Sequence, residues 1–221
     1  MNIQKYIDHT LLKATATEEN IIQLCKEAVK YGFYAVCVNG CYVSLATKLL
    51  KNTDVKVAAV VGFPLGAMTT KAKVFEAIEC VKNGADEIDM VIHIGHLKSK
   101  NFDYVQEEIA EIKKAIGHTI LKVIFENSYL TNDEITKVAK LSENAGADFI
   151  KTATGFGEGG ATFENVLLMQ QSVSSKIKIK AAGGIRDIET AKKYIEMGVA
   201  RLGTSSGVLL VNSGISDKNS Y

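Results

Sequence analysis

Two lysines occupy the middle of apolar runs that are predicted to be buried β-strands. Lys151 lies in the run 149–155, and Lys180 lies in the run 178–184, on the next strand along the chain. Neighbouring parallel strands are about 4.8 Å apart, so the ammonium groups of the two lysines would lie close together and repel each other. The pKa of one lysine is therefore expected to fall well below the usual value of about 10.4. Because a neutral amine attacks a carbonyl carbon, the pair indicates catalysis through a Schiff base. The alternative is that each amine extends to solvent at the end of its strand.

Two aspartates also lie in predicted strands, with side chains that are expected to point into the fold. Asp89 follows Glu87 and Ile88 in a strand, and alternation places its side chain opposite those of Ile88 and Met90. A buried carboxylate needs a partner, and a lysine is the natural one, so Asp89 is predicted to be an acid/base group or half of a structural ion pair. Asp8, near the end of the first strand, is predicted to contact substrate or to join a structural network.

Three glycine-rich segments come late in the chain, at 154–160, 183–186 and 203–207, and each follows a predicted strand. Backbone amides without a Cβ can cradle a phosphate, and a helix N-terminus adds its dipole. The predicted substrate- or phosphate-binding residues are Gly155, Gly183, Gly184, Arg186, Gly203, Ser205, Ser206 and Asp8. The alternatives are that the glycines form tight turns only and that Arg186 pairs with Asp187 on the surface.

Histidines and cysteines do not indicate a metal or a disulfide. His93 and His96 follow Asp89, but the spacing is not that of a helix face, and on a strand the two rings point to opposite sides. No metal and no cofactor are therefore expected. None of the four cysteines forms a C-x-x-C pair, so reduced, apolar thiols are predicted, with a Cys37–Cys41 redox pair as the alternative.

The elements that must position these residues alternate along the chain. The predicted strands are Tyr6–Leu11, Ala35–Asn39, Val57–Phe63, Glu87–Ile94, Leu121–Asn127, Phe149–Thr154, Ile177–Gly183 and Arg201–Ser205. The predicted helices span 18–31, 42–51, 70–83, 103–116, 131–145, 162–173 and 187–197. Strict alternation predicts an α/β fold, a single-domain (β/α)8 TIM barrel over residues 1–211 with a mobile tail at 212–221. An open doubly wound sheet is the alternative, but polar and glycine-rich residues follow many strands here, which favours the barrel.

Composition restricts the partners. The 221 residues carry a formal net charge of +1, which provides no basic excess for nucleic acid or for a membrane surface. The longest uncharged stretch, 57–70, is too short to span a bilayer, and residues 1–10 lack the apolar region of a signal peptide. A cytoplasmic location is the resulting expectation.

These segments resemble the deoxyribose-phosphate aldolase family over nearly the whole chain. The matching segments are 7–11, 36–39, 61–66, 84–91, 145–152, 180–184 and 203–207. The resemblance implies a cofactor-free class I aldolase of deoxyribose phosphate catabolism, which cleaves 2-deoxy-D-ribose 5-phosphate reversibly to D-glyceraldehyde 3-phosphate and acetaldehyde. It also implies a homodimer or homotetramer. In this family Lys151 corresponds to the Schiff-base lysine, Lys180 to the lysine that tunes it, and Asp89 to the acid/base carboxylate.

The chain departs from the family pattern at three positions. The family pattern has Pro where Gly40 stands, Asn where His93 stands, and Thr or Cys where Asn127 stands. His93 and Asn127 are predicted to border the pocket and to affect rate and aldehyde preference. Tyr221 is either a proton shuttle on the mobile tail or part of a disordered end.

Other functions are compatible with the same residues. One is a transaldolase or a sugar-bisphosphate aldolase, which shares the lysine chemistry. Another is a barrel isomerase that binds phosphosugars without covalent chemistry, and a third is a non-catalytic phosphosugar-binding protein. The third explains Lys151, Lys180 and Asp89 least well, because binding alone does not require a neutral amine.

Overall fold

Short apolar strands pair in parallel around a closed ring. The computed structural model describes residues 2–216, with side chains as far as Ser213. Its strand order is β1 to β8 in sequence, and β1 pairs with β8 to close the barrel. The predicted (β/α)8 barrel is confirmed, and the open doubly wound sheet is excluded because that sheet would have two unpaired edges.

The strands are shorter than predicted, mostly at their carboxyl ends. They are β1 (Ile7–Leu11), β2 (Ala35–Asn39), β3 (Lys56–Val61), β4 (Glu87–Val91), β5 (Ile120–Ile124), β6 (Phe149–Lys151), β7 (Lys178–Ala182) and β8 (Arg201–Thr204). The helices are α1 (Glu18–Tyr31), α2 (Val43–Leu50), α3 (Thr70–Lys82), α4 (Ile94–Lys98), α5 (Phe102–Ile116), α6 (Asn132–Asn144), α7 (Phe163–Ser172), α8 (Ile188–Glu196) and α9 (Gly207–Ser216). Single 3-10 turns lie at Ile3–Tyr6, Gly40–Tyr42 and Asn127–Tyr129. Within residues 2–216, no helix is both long enough and apolar enough to cross a bilayer.

Local signals in the sequence fix several helix ends. Thr131 and Glu134 form the predicted capping box of α6, in which each side chain accepts a hydrogen bond from the other residue's backbone amide. Thr17 caps α1 through the backbone amide of Asn20, and Gly32 ends α1 in the left-handed conformation. These signals were sufficient to predict the first and last residues of α1.

Two predictions for the elements differ from the structure. The fourth strand ends at Val91 rather than at Ile94, and Ile94–Lys98 forms the short helix α4, which His93 caps by accepting the backbone N–H of His96. The tail was predicted to begin at residue 212, whereas α9 continues to Ser216. Residues 217–221, including Tyr221, lie outside the described residues.

The barrel has an apolar outer face and a divided interior. The outward-facing strand side chains join the helices in the main core, which includes Ile88, Met90, Leu121 and Val123. Inside the barrel, a small apolar cluster occupies the side of β2 and β3 and consists of Leu12, Cys37, Ala58 and Val60. The rest of the interior, from β4 round to β1, is lined by charged side chains. The barrel therefore contains a buried ionic cluster, and that cluster holds the chemistry.

The cysteines follow the prediction in part. All four are free thiols, and Cys25, Cys37 and Cys80 are buried. Burial raises the pKa of Cys25 to about 11 and that of Cys80 to about 12, so these two thiols are inert apolar groups. Cys41 is exposed instead, because it lies in the turn after β2.

Candidate active site

Asp89 is the centre of the buried ionic cluster. Its Oδ2 lies 2.8 Å from Nζ of Lys151 and 2.8 Å from Nζ of Lys180, and its Oδ1 lies 2.6 Å from Nζ of Lys122. All four side chains are buried. The alternation of side chains along β4 thus places Asp89 inward as predicted, and three strands supply its three lysines.

Asp8 and Glu87 complete the cluster. Lys180 also donates to Oδ2 of Asp8, and Lys122 lies 2.6 Å from Oε2 of Glu87. Arg201 approaches both carboxylates: its Nε lies 3.5 Å from Asp8 Oδ1, and its Nη2 lies 3.3 Å from Glu87 Oε1. Asp8 is therefore part of the structural network, one of the two predicted roles. It does not line the cavity described below, because its carboxylate is fully buried beneath it.

The cluster has one basic group more than it has acids. Lys122, Lys151, Lys180 and Arg201 face Asp8, Glu87 and Asp89. Net charge buried at low dielectric is costly, so one amine is expected to be neutral. Lys151 is the amine with the fewest acidic partners, since it contacts only Asp89, which two other lysines share.

The pKa shifts agree with this assignment. Burial lowers the pKa of Lys151, and the charge of Lys180 lowers it further, although Asp89 opposes both effects. Burial also disfavours the charged form of Lys180, but Asp8 and Asp89 outweigh it and hold the pKa of Lys180 well above the usual value. Burial would raise the pKa of Asp89, yet Lys122, Lys151 and Lys180 together hold it well below its usual range. The pKa values of the two lysines therefore shift in opposite directions, and Lys151 is the amine whose charged form is disfavoured.

Lys122→Met tests the charge balance of the cluster. The variant removes one cation, so Lys151 is expected to take up a proton in compensation, and its pKa is expected to rise. The free energy of unfolding should fall by about 3 kcal/mol, near the lower end of the range for breaking a buried ion pair. Urea unfolding measures that loss. Schiff-base formation should also need a higher pH than in the wild type, and an unchanged pH profile would contradict the balance.

A cavity of about 360 Å³ opens above the cluster, at the carboxyl ends of the strands. Lys151 lies at its floor with 3% of its surface exposed, whereas Lys122, Lys180 and Asp89 do not line it. The walls are the loops after β1, β6, β7 and β8. A larger cavity of about 620 Å³ lies near Asp148 and Lys178, at the amino ends of the strands, away from every predicted site residue. The active-site end of a (β/α)8 barrel is the carboxyl end.

Seven of the eight residues predicted to contact substrate line this cavity. They are Gly155, Gly183, Gly184, Arg186, Gly203, Ser205 and Ser206. Asp187 accepts the backbone N–H of Thr190 at 2.8 Å as the N-cap of α8, and Arg186 lines the cavity. A Cβ at Gly203 would lie 3.1 Å from Lys180 Cε and 2.9 Å from Ala182 Cβ, so glycine is needed where the lysine passes.

The residues that depart from the family pattern lie beside the site rather than in the cavity. The His93 and His96 rings contact each other with their centroids 4.3 Å apart and their planes tilted by 59°, although the predicted strand would have separated them. Asn127 is buried and donates to Met169 Sδ at 3.3 Å. Neither His93 nor Asn127 is among the residues that line the cavity. Within the described part of the chain, no group of three or more His, Cys, Asp or Glu residues has a metal-binding arrangement.

Several functional residues escaped the sequence analysis. Lys122 has the same signal as Lys151, a lysine in the middle of an apolar strand. Glu87 and Arg201 begin their strands, where a charged residue usually reaches solvent. Lys13 and Thr154 also line the cavity, and only the closure of the barrel brings their loops together.

The geometry agrees with the comparisons to known proteins. A model of the DeoC/LacD family of aldolases matches residues 3–210. The chain belongs to this family. Lys151 reaches the cavity at the carboxyl ends of the strands, which is where the active site of an aldolase with this fold is expected.

The relatives match nearly the whole length of the chain. A deoxyribose-phosphate aldolase of Thermoanaerobacter sp. (strain X514) is 55% identical over 214 residues, which cover 96% of each chain. One of Thermococcus gammatolerans is 56% identical over 216 residues, again 96% of each chain. Among solved structures, the tetrameric deoxyribose phosphate aldolase of Aeropyrum pernix superposes with a TM-score of 0.88 at 31% identity, covering 97% of this chain and 91% of that one.

Proposed function

We propose that the protein is a deoxyribose-phosphate aldolase that cleaves 2-deoxy-D-ribose 5-phosphate through a Schiff base on Lys151. One observation carries the proposal: the amine with the lowered pKa is the only member of the ionic cluster that reaches the cavity. A neutral amine is the nucleophile that such chemistry requires. The full-length similarity to deoxyribose-phosphate aldolases selects the substrate within this chemistry.

The reaction begins when the Lys151 amine adds to the C1 aldehyde of the open-chain sugar. The carbinolamine loses its hydroxyl as water, with protons moving through Asp89, Lys180 and a water molecule, and an iminium remains. Lys180 keeps its proton because its pKa is raised, so it can donate when the hydroxyl leaves. Asp89 contacts both amines and is the path between them.

Cleavage follows because the iminium accepts the electron pair of the C2–C3 bond. A base removes the proton of the C3 hydroxyl, D-glyceraldehyde 3-phosphate forms, and an enamine remains on Lys151. Protonation of C2 and hydrolysis of the new iminium release acetaldehyde and restore the amine. The walls of the cavity bind the phosphate, and this remote binding energy orients C1 toward Lys151.

Reductive trapping tests the proposal. The protein is incubated with 2-deoxyribose 5-phosphate and sodium borohydride, which reduces the iminium to a stable secondary amine, and the modified peptide is located by mass spectrometry. We expect the adduct on the peptide that contains Lys151. A folded protein that binds the sugar phosphate but forms no adduct would instead be a phosphosugar isomerase or a binding protein. Failure to use acetaldehyde as the donor in synthesis would indicate a transaldolase or a sugar-bisphosphate aldolase.

Arg186→Gln tests the phosphate-binding wall. Its guanidinium is the charged group contributed by the loop after β7, and losing a charged contact should raise KM for 2-deoxyribose 5-phosphate about tenfold. The value of kcat/KM for unphosphorylated 2-deoxyribose should be unchanged. Lys13→Gln is the comparison variant, because it removes the other exposed cation among the residues that line the cavity, in the loop after β1. Equal losses with both sugars would contradict a role in phosphate binding.

We further propose that the protein is a homodimer or homotetramer. The Aeropyrum pernix relative is tetrameric. Large apolar side chains at Leu65, Met68 and Phe75, on α3 and the loop before it, are exposed in the single chain, and such side chains often mark an interface. Light scattering of the purified protein measures the mass. A monomer at micromolar concentration would contradict the proposal.

A further inference from the structure

Glu126 combines three costly features beside the cavity. It follows β5 in the left-handed conformation, with φ of 57° and ψ of 65°, which side-chain-bearing residues rarely adopt. Its side chain is 1% exposed, and Oε1 has no hydrogen-bond partner among the described residues. Each feature costs free energy, and strain of this kind is typical of functional sites.

The other oxygen of Glu126 binds a residue of the cavity wall. Oε2 accepts the backbone N–H of Thr154 at 3.1 Å and also the hydroxyl of Thr154. Gly157 of the same loop packs so closely that a Cβ there would lie 2.9 Å from Cδ of Glu126. The left-handed backbone turns this carboxylate toward the loop after β6, and the loop closes over it.

The carboxylate determines how the Thr154 hydroxyl can bind other groups. A carboxylate only accepts hydrogen bonds, so the single proton of the hydroxyl points to Glu126. The oxygen retains two lone pairs, and one accepts the backbone N–H of Phe156 at 3.0 Å. The second is left for a donor inside the cavity, which Thr154 and Phe156 both line.

We propose that Glu126 is a positioning residue that acts through Thr154, whose hydroxyl it fixes as an acceptor for a hydroxyl group of the sugar. The inference rests on the proposed function. It extends that function by identifying a group that favours hydroxylated substrates over simple aldehydes. Glu126 itself does not touch the substrate, since the loop covers it.

Glu126→Gln is the first test, because glutamine keeps the shape but adds a donor, so the Thr154 hydroxyl no longer has one fixed direction. KM for 2-deoxyribose 5-phosphate should rise about tenfold. Acetaldehyde has no hydroxyl, so its borohydride-trapped adduct on Lys151 should form at the wild-type rate. A merely structural role would slow both reactions alike, and that outcome, or an unchanged KM, would contradict the proposal.

A double-mutant cycle with Thr154→Val tests whether Glu126 acts through Thr154. The double variant should have the same KM as Thr154→Val alone, because the hydroxyl that Glu126 orients is already gone. Additive effects would overturn the proposal.

These outcomes separate the inference from the proposed function. A wild-type protein that does not cleave 2-deoxyribose 5-phosphate contradicts the proposed function and, with it, the role of Glu126. A wild-type protein that cleaves the sugar, together with an unaffected Glu126→Gln variant, contradicts the role of Glu126 alone.

Discussion

Lys151→Met is expected to abolish cleavage of 2-deoxyribose 5-phosphate while leaving the stability of the protein nearly unchanged or higher. Turnover should fall by about four orders of magnitude or more, because no other amine of the cluster reaches the cavity. The trapped adduct should disappear as well. Methionine fills nearly the same volume, so the packing above Asp89 is retained.

The stability of this variant distinguishes a neutral from a charged Lys151. If the amine is neutral, its removal leaves three cations facing three carboxylates, and the free energy of unfolding should change by less than about 1 kcal/mol or rise. If the amine is charged, its loss breaks a buried ion pair with Asp89 and should cost about 3–5 kcal/mol. Urea unfolding decides between the two, with Lys122→Met as the control that is expected to be destabilised. A loss as large as that of the control would contradict the neutral amine.

The sequence was sufficient to predict most of the barrel because each strand is an apolar run between helical segments. Ala35–Asn39 was predicted to the residue, and Gly40 follows it directly. The fourth strand was overextended because Ile92 and Ile94 continue the apolar pattern past the last paired residue. Pairing stops at Val91, and the side chain of His93 caps a helix instead, which periodicity alone does not indicate.

The candidate site was predictable where a charged residue stands within the apolar run of a single strand. Lys151, Lys180 and Asp89 are charged residues within apolar runs, and the structure brings them into contact. The partners of Asp8 were not predictable, because Arg201 and Lys180 lie more than 170 residues away and meet Asp8 only when β8 pairs with β1. Glu126 was missed for another reason: its left-handed backbone is stabilised by the loop after β6, and no local glycine or asparagine signal marks it.

Asp89→Asn is expected to reduce both stability and turnover strongly. Asparagine keeps the shape but removes the one carboxylate that contacts Lys122, Lys151 and Lys180. The free energy of unfolding should fall by about 3–5 kcal/mol, because excess positive charge is then buried. Turnover should fall by about a thousandfold, because the proton path between Lys151 and Lys180 is lost. Urea unfolding and steady-state kinetics measure the two effects.

A second substitution separates the two effects. In Asp89→Asn/Lys122→Met, the remaining charges form the observed pairs Lys180–Asp8 and Arg201–Glu87 beside a neutral Lys151. The double variant should therefore regain at least about half of the lost stability, a non-additive result expected for groups in direct contact. Turnover should stay low, because restored charge balance does not restore the proton path. Recovery of both stability and turnover would mean that Asp89 only balances charge. Recovery of neither would mean that the stability of the cluster does not depend on its net charge.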